Sequence, residues 1–138
     1  MTYQWQMRVC FQDTDAEGIV YHANYLNYAE RARTAWLFEL GYTNQGVLNS
    51  GIMLVLRHLD IDYRLPAKLD DLLTIDVRIR EIKNASMVIE QLVSCQDKTL
   101  VAITLQLAFI SPETMRPVRL PTEMKNLFID YMNKQGEI

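Results

Sequence analysis

Between Leu72 and Ile82 the chain alternates strictly. Leu73, Ile75, Val77 and Ile79 fall on one side of an extended backbone, and Thr74, Asp76, Arg78 and Arg80 on the other. Period two over that length predicts a strand with one buried and one wet face. The same alternation marks Leu100 to Ile110, where Val101, Ile103, Leu105, Leu107 and Phe109 share a side. Apolar runs rich in β-branched residues predict further strands over Ile52–Tyr63, closing at Leu65-Pro66, and over Ser86–Cys95. Short turns at 83–85 and 96–98 join three of these strands as hairpins. Looser alternation around Trp5, Met7, Val9 and Phe11 predicts a first strand within residues 3–11.

Two segments break the period of two. From Asn24 to Leu40, Tyr25, Tyr28, Ala29, Ala32, Trp36 and Leu40 recur at spacings of three and four, with Leu26 and Leu37 widening the stripe. Glu30, Arg31, Arg33 and Glu39 occupy the other angles, and Gly41 is a C-terminal stop. Alanines on the stripe let a sheet approach closely, so this helix is expected to be wrapped by the strands. Residues 42–51 read as a connection holding one helical turn. After Pro112, Pro117 and Pro121, the stripe Met124, Leu127, Phe128, Tyr131, Met132 predicts a final helix ending near Gly136. The order strand, long helix, four strands, tail helix predicts an α+β fold in which a five-stranded antiparallel sheet curls around one long helix.

Length and composition narrow the function. The 138 residues suit a single domain spanning 1–138. A net charge of −3 with both signs interspersed gives no basic stripe of the kind that tracks nucleic acid. No stretch approaches the roughly 18 consecutive apolar residues of a membrane span, and the polar N-terminus lacks a signal-peptide h-region. Cys10 and Cys95 form no metal or redox spacing and are expected to be reduced thiols. The expectation is a cytoplasmic protein without metal or cofactor.

Candidate chemistry collects in one loop, Asp13-Thr-Asp15-Ala-Glu-Gly18-Ile-Val-Tyr21-His22-Ala-Asn-Tyr25, which feeds the long helix. It holds two carboxylates, a glycine and one of the chain's two histidines. A carboxylate can act as base or nucleophile, and a helix start supplies free N–H groups with partial positive charge. Each residue also has a plainer reading. Asp in an Asp-x-Asp loop often caps a turn, a lone His is often bonded to backbone, and Gly18 allows a positive φ. His58 reads as an outward polar residue on a strand. No Gly-x-Ser-x-Gly elbow and no phosphate-cradling glycine loop is present.

This loop, with Glu30-Arg31-Ala-Arg33 after it and Asp62-Tyr63-Arg64-Leu65-Pro66-Ala67 and Asp70-Asp71-Leu72-Leu73 downstream, resembles the signature of the hotdog-fold acyl-CoA thioesterases. More narrowly it resembles the 4-hydroxybenzoyl-CoA thioesterase family and its branch associated with the Tol-Pal cell-envelope system. The resemblance covers nearly the whole chain. It implies the hotdog fold, a helix wrapped by an antiparallel sheet, with a C-terminal helix added. It also implies a homodimer or homotetramer with acyl-CoA lying between subunits. By motif position Asp15 matches the family's catalytic carboxylate and His22 the histidine of the Tol-Pal branch. The His22 backbone N–H would polarise the thioester carbonyl. Gly18, Tyr21 and Tyr25 match positions that shape the substrate pocket. Glu17 stands where a small residue is more usual.

The implied activity is hydrolysis of a short-chain or aromatic acyl-CoA, or of acyl carrier protein thioesters, to free acid and thiol. Developing negative charge on the carbonyl oxygen would be met by the helix-start N–H. The carboxylate either attacks directly, forming a mixed anhydride, or activates water. Two rival readings exist: a hotdog dehydratase or isomerase, and a non-catalytic acyl-CoA-binding accessory protein of an envelope complex. The seven-residue spacing from Asp15 to His22 fits the thioesterase better. Arg80, Lys83, Arg116 and Arg119 are candidate contacts for CoA phosphates and, individually, ordinary surface charges.

Overall fold

The structure is a computed structural model and describes residues 1–136. Its strands are β1 (Tyr3–Arg8), β2 (Met53–Tyr63), β3 (Leu72–Ile82), β4 (Ser86–Cys95) and β5 (Lys98–Ile110). The helices are α1 (Asn24–Glu39), α2 (Asn44–Asn49) and α3 (Thr122–Lys134). The strands form one sheet in the order β1-β3-β4-β5-β2, every neighbour pair antiparallel. This is the α+β arrangement that the period-two and period-3.6 segments predict.

Local chemistry sets the turns. Gln96 and Asp97 both take positive φ, 49° and 66°, which gives the β4–β5 hairpin a primed two-residue turn whose twist matches the strands. At the end of α1, Gly41 takes φ 98°, and the N–H of Tyr42 bonds the carbonyl of Leu37. That is a glycine C-terminal stop. Thr43 caps α2 by accepting from the N–H of Gly46 at 2.9 Å.

The sheet's inner face supplies Leu73, Ile75, Val77, Ile79, Ile89, Val93, Val101, Ile103, Leu105 and Phe109, all buried. Against them lies the stripe of α1: Tyr25, Tyr28, Ala29, Ala32, Trp36 and Leu37. The two alanines, with almost no exposed area, let the helix sit close to the strands. The indole of Trp36 stacks on Phe128 of α3 at 5.4 Å between ring centres, so the tail helix closes the far end of the core.

Three expectations need correction. Phe11 does not continue β1: the strand stops at Arg8, residues 11–13 form a 3-10 turn, and Phe11 is 81% exposed. Leu26 lies outside the buried stripe, with about a third of its surface open. The polar face of β3 is not uniformly wet. Asp76 is buried because its carboxylate accepts from the Leu92 N–H at 2.7 Å and pairs with Arg78 at 3.1 Å. The end of the tail covers the same region, where the Gln135 side-chain amide exchanges two hydrogen bonds with the backbone of Ile79.

Candidate active site

The Asp13–Tyr25 loop folds as a miniature hairpin. Thr14 bridges Val20, Asp15 N–H donates to the Ile19 carbonyl at 2.9 Å, and Gly18 N–H returns to the Asp15 carbonyl at 3.0 Å. Asp15 occupies the first position of this turn, and one carboxylate oxygen accepts from the Glu17 N–H at 2.8 Å. Gly18, at the fourth position, takes φ 81°. An Asp opening a turn that a left-handed Gly closes is the arrangement these residue types favour. Glu17 sits exposed at the tip. The hairpin then docks on the segment after β2: Ile19 bridges Lys68, and Val20 N–H donates to the Ala67 carbonyl at 2.9 Å.

The two carboxylates of the loop differ in their surroundings. The carboxylate of Asp13 folds back onto the N–H of Cys10 at 2.8 Å and also accepts from the Cys10 thiol at 3.1 Å. Its carbonyl receives the Tyr21 N–H and the Asn24 side-chain amide, at 3.0 and 2.8 Å. Asp13 thus ties β1, the loop and the first residue of α1 together. Asp15 carries only the turn bond, so its second oxygen has no protein partner among the described residues. Beneath Asp13 lies the buried hydroxyl of Tyr28, which makes no hydrogen bond among the described residues. Burial first, and the Asp13 carboxylate acting through space second, hold that phenol far above its ordinary pKa.

Helix α1 begins without a capping side chain. Its N-cap is Ala23, and the first turn holds no acidic residue. The Asn24 N–H is satisfied by the Tyr21 carbonyl, whereas the N–H groups of His22 and Ala23 donate to nothing among the described residues. An uncapped helix start keeps its partial positive charge for whatever approaches it. The imidazole of His22 is exposed and lies 4.5 Å from the ring of Tyr21 and 6.4 Å from that of Tyr63.

Beside this helix start is a cleft of about 340 Å³ lined by Ile19, Val20, His22, Tyr25, Tyr63, Arg64, Leu65 and Pro66. Of the residues singled out from the sequence, it gathers His22 and Tyr25. Asp15, Gly18 and Tyr21 belong to the adjoining loop and do not line it. Tyr25 is nearly fully buried, and its hydroxyl accepts from the Ala67 N–H at 3.1 Å, which anchors the docking segment. Its pKa is raised, chiefly by burial. Tyr63 and Arg64 were not singled out as site residues. The signal available was the abrupt Leu65-Pro66 end of a strand whose last aromatic reaches the helix start. Arg64 pairs with Asp62 at 2.9 Å on the surface. Arg80 is taken up by Glu90 at 2.7 Å, leaving it poorly placed to receive a phosphate. Among the described residues no cluster of three or more His, Cys, Asp or Glu is arranged to hold a metal ion, and no helix is long and apolar enough to cross a membrane.

A second, larger cavity of about 390 Å³ opens at the other end of β2, between α1, α2 and that strand. Its apolar lining includes Trp36, Leu37, Val47, Leu54 and Leu107, with Glu30 and Arg33 at its polar side. Arg33, expected among the outward polar residues of α1, instead lies mostly buried. Its guanidinium donates to the side-chain carbonyl of Gln91 at 2.8 Å, and the amide of Gln91 donates to the Ala29 carbonyl at 3.0 Å. Gln91 has no exposed surface at all.

The geometry agrees with what comparison with known proteins finds. Residues 9–128 match the family model described as the thioesterase-like superfamily. The acyl-CoA thioesterase YbgC of Haemophilus influenzae is 39% identical over 127 residues, covering 91% of this chain and 93% of that protein. The acyl-CoA thioester hydrolase YbgC of Escherichia coli is 34% identical, covering 86% of this chain and 90% of that protein. Among solved structures, a probable thioesterase from Bartonella henselae is 37% identical with a TM-score of 0.81, covering 88% of this chain and all of that one. With a helix wrapped by a five-stranded antiparallel sheet and a family match over most of its length, this hotdog-fold chain belongs to the thioesterase-like superfamily.

Proposed function

We propose that the protein hydrolyses acyl-CoA thioesters to free acid and CoA. The observation that carries this reading is the uncapped start of α1, where the N–H of His22 is unspent beside a cleft and next to a loop holding a partly free carboxylate. A thioester carbonyl oxygen set against that N–H gains negative charge as the carbonyl carbon becomes tetrahedral, and the helix end stabilises it. Asp15 supplies the attack. Either its free oxygen bonds to the carbonyl carbon, the C–S bond breaks and thiolate departs, leaving an anhydride that water then cleaves; or the carboxylate takes a proton from a water that attacks instead. Thiolate is a good leaving group, so neither route needs a strong acid. His22 orients water or carbonyl, Gly18 and Tyr21 shape the loop, and Tyr25 braces the wall of the cleft. The acyl group is short or aromatic, and the carrier is CoA or acyl carrier protein.

The site is completed by a second copy. β2 is an edge strand of 11 residues, and its outer edge faces solvent with Val55, Leu56 and Tyr63 exposed. A long apolar edge of this kind requires a partner. Arg57 and His58 lie at mid-strand with Asp60 and Asp62 just beyond, so an antiparallel copy can bring opposite charges close along the seam. Pairing β2 with its copy sets the start of one strand beside the end of the other. The cavity between α1, α2 and β2 of one subunit then adjoins the His22 cleft of its partner. The reaction centre thus comes from one subunit and the acyl pocket from the other, in a homodimer or a tetramer built from it. A cytoplasmic location fits this substrate.

The test is incubation of the pure protein with a panel of acyl-CoAs and a reagent that detects free thiol. Thiol release from at least one short or aromatic acyl-CoA, absent from a heat-denatured control, is expected. Absence of release across the panel would refute the activity.

A further inference from the structure

The cavity between α1, α2 and β2 has an apolar lining and a polar side made by Glu30, Arg33, Thr34 and Asn44. Arg33 presents a partly buried guanidinium whose one hydrogen bond is to the neutral Gln91, with no carboxylate within ion-pair distance, among the described residues. Burial lowers the pKa of Arg33, with the Glu30 carboxylate, which lines the same cavity beyond ion-pair distance, partly offsetting this. Trp36, which lines the same cavity, keeps its indole N–H buried and without a hydrogen-bond partner among the described residues. The Arg33 guanidinium therefore lines, together with Glu30, Thr34 and Asn44, a cavity whose apolar walls include Leu37, Val47, Leu54 and Leu107.

A cation partly withdrawn from water without a paired counter-charge carries a cost that falls when a ligand supplies the anion. Gln91 grips the guanidinium at one nitrogen because its own amide is tied to the Ala29 carbonyl. The remaining N–H groups form the flat fork that matches a carboxylate's two oxygens. We propose that Arg33 is a specificity-determining residue that selects acyl groups ending in a carboxylate, the half-thioesters of short dicarboxylic acids, over plain alkanoyl groups of the same length. This inference rests on the thioesterase reading and on the cavity serving as the acyl pocket. The cavity's size suits a short chain, and its apolar walls meet the methylenes between the thioester and the terminal carboxylate.

The experiment compares succinyl-CoA with butanoyl-CoA, which match in chain length and differ in the terminal group. Wild-type protein is expected to show a kcat/KM for succinyl-CoA at least about tenfold above that for butanoyl-CoA, in keeping with loss of one charge-assisted pair in the poorer substrate. In Arg33→Met, which keeps the apolar stem and removes every donor, the ratio is expected to fall to about one or below. Arg33→Lys should give a value between the two, since it keeps charge without the fork. A merely structural Arg33 would depress both substrates equally and leave the ratio unchanged, which would overturn the inference. An equal rate on the two substrates in wild type would overturn it as well, even if the variants fail to fold. Hydrolysis of neither substrate nor any other acyl-CoA would instead remove the thioesterase reading beneath it.

Discussion

Tyr63, the last residue of β2, donates its phenolic hydrogen to the backbone carbonyl of His22 across 2.8 Å. The bond joins the edge strand to the residue whose N–H is offered at the start of α1. It fixes the His22–Ala23 peptide plane, next to the one that carries the His22 N–H, while the Tyr63 ring lines the cleft. Tyr63→Phe keeps the ring and deletes the bond. Because the bond is exposed, its loss should cost at most about 0.5–1.5 kcal/mol of stability. The reaction should feel a misplaced donor more directly, with kcat on a good acyl-CoA falling up to about tenfold while KM changes little. An unchanged kcat would show that the carbonyl of His22 needs no such anchor.

Much of this was legible beforehand, for physical reasons that differ by element. β3 and β5 announce themselves because one of their faces is packed by α1 and the other is mostly polar, so burial is written as alternation. α1 does the same at period 3.6. Asp76 and Arg33 depart from the pattern because alternation reports which face a residue occupies, not what later covers that face. The tail reaches Asp76 from more than 50 residues away, and Gln91 reaches Arg33 from another strand. Phe11 continued the alternation in sequence, but the Asp13 carboxylate turns the chain back at Cys10 and ends the strand. Tyr63 was hidden at the end of a strand because its role appears only when the helix start lies against it.

The exposed edge of β2 predicts an oligomer. Wild-type protein should sediment as a dimer or tetramer at micromolar concentration. Leu56, about half exposed on that strand, offers a probe: Leu56→Asp places a charge on the apolar edge without disturbing the buried sheet face. The variant should shift to a monomeric mass, keep its fold by circular dichroism, and lose most thioester hydrolysis because the composite site is gone. A monomeric wild type, or an active monomeric variant, would contradict the two-subunit site.

Asp76 gives a dependence on pH that is independent of activity. Burial raises its pKa above the ordinary value of 3.8, outweighing the Leu92 N–H and Arg78, which act in the lowering direction. Between the ordinary and the raised value the folded chain keeps a proton that the unfolded chain has lost. Stability from this group therefore falls as pH rises through that window. Asparagine cannot titrate. The Tm of Asp76→Asn minus that of wild type should accordingly become more positive as pH rises from below 3.8 to neutral. A difference that is flat, or that moves the other way, would show that the Arg78 pair outweighs the burial.

The division of labour between Asp13 and Asp15 is the central claim. The Asp13 carboxylate is engaged by the Cys10 N–H and thiol, whereas Asp15 keeps one oxygen free beyond its turn bond. Steady-state hydrolysis of one good acyl-CoA by Asp15→Asn and Asp13→Asn, each confirmed folded by its melting curve, tests it most directly. Asp15→Asn removes charge and nucleophilicity while leaving an oxygen for the Glu17 N–H, so hydrolysis should be abolished with folding and substrate binding largely kept. Asp13→Asn should retain much of the wild-type rate. An Asp15→Asn protein that still turns over near the wild-type rate, or equal losses in both variants, would contradict the assignment of the reaction to Asp15 alone.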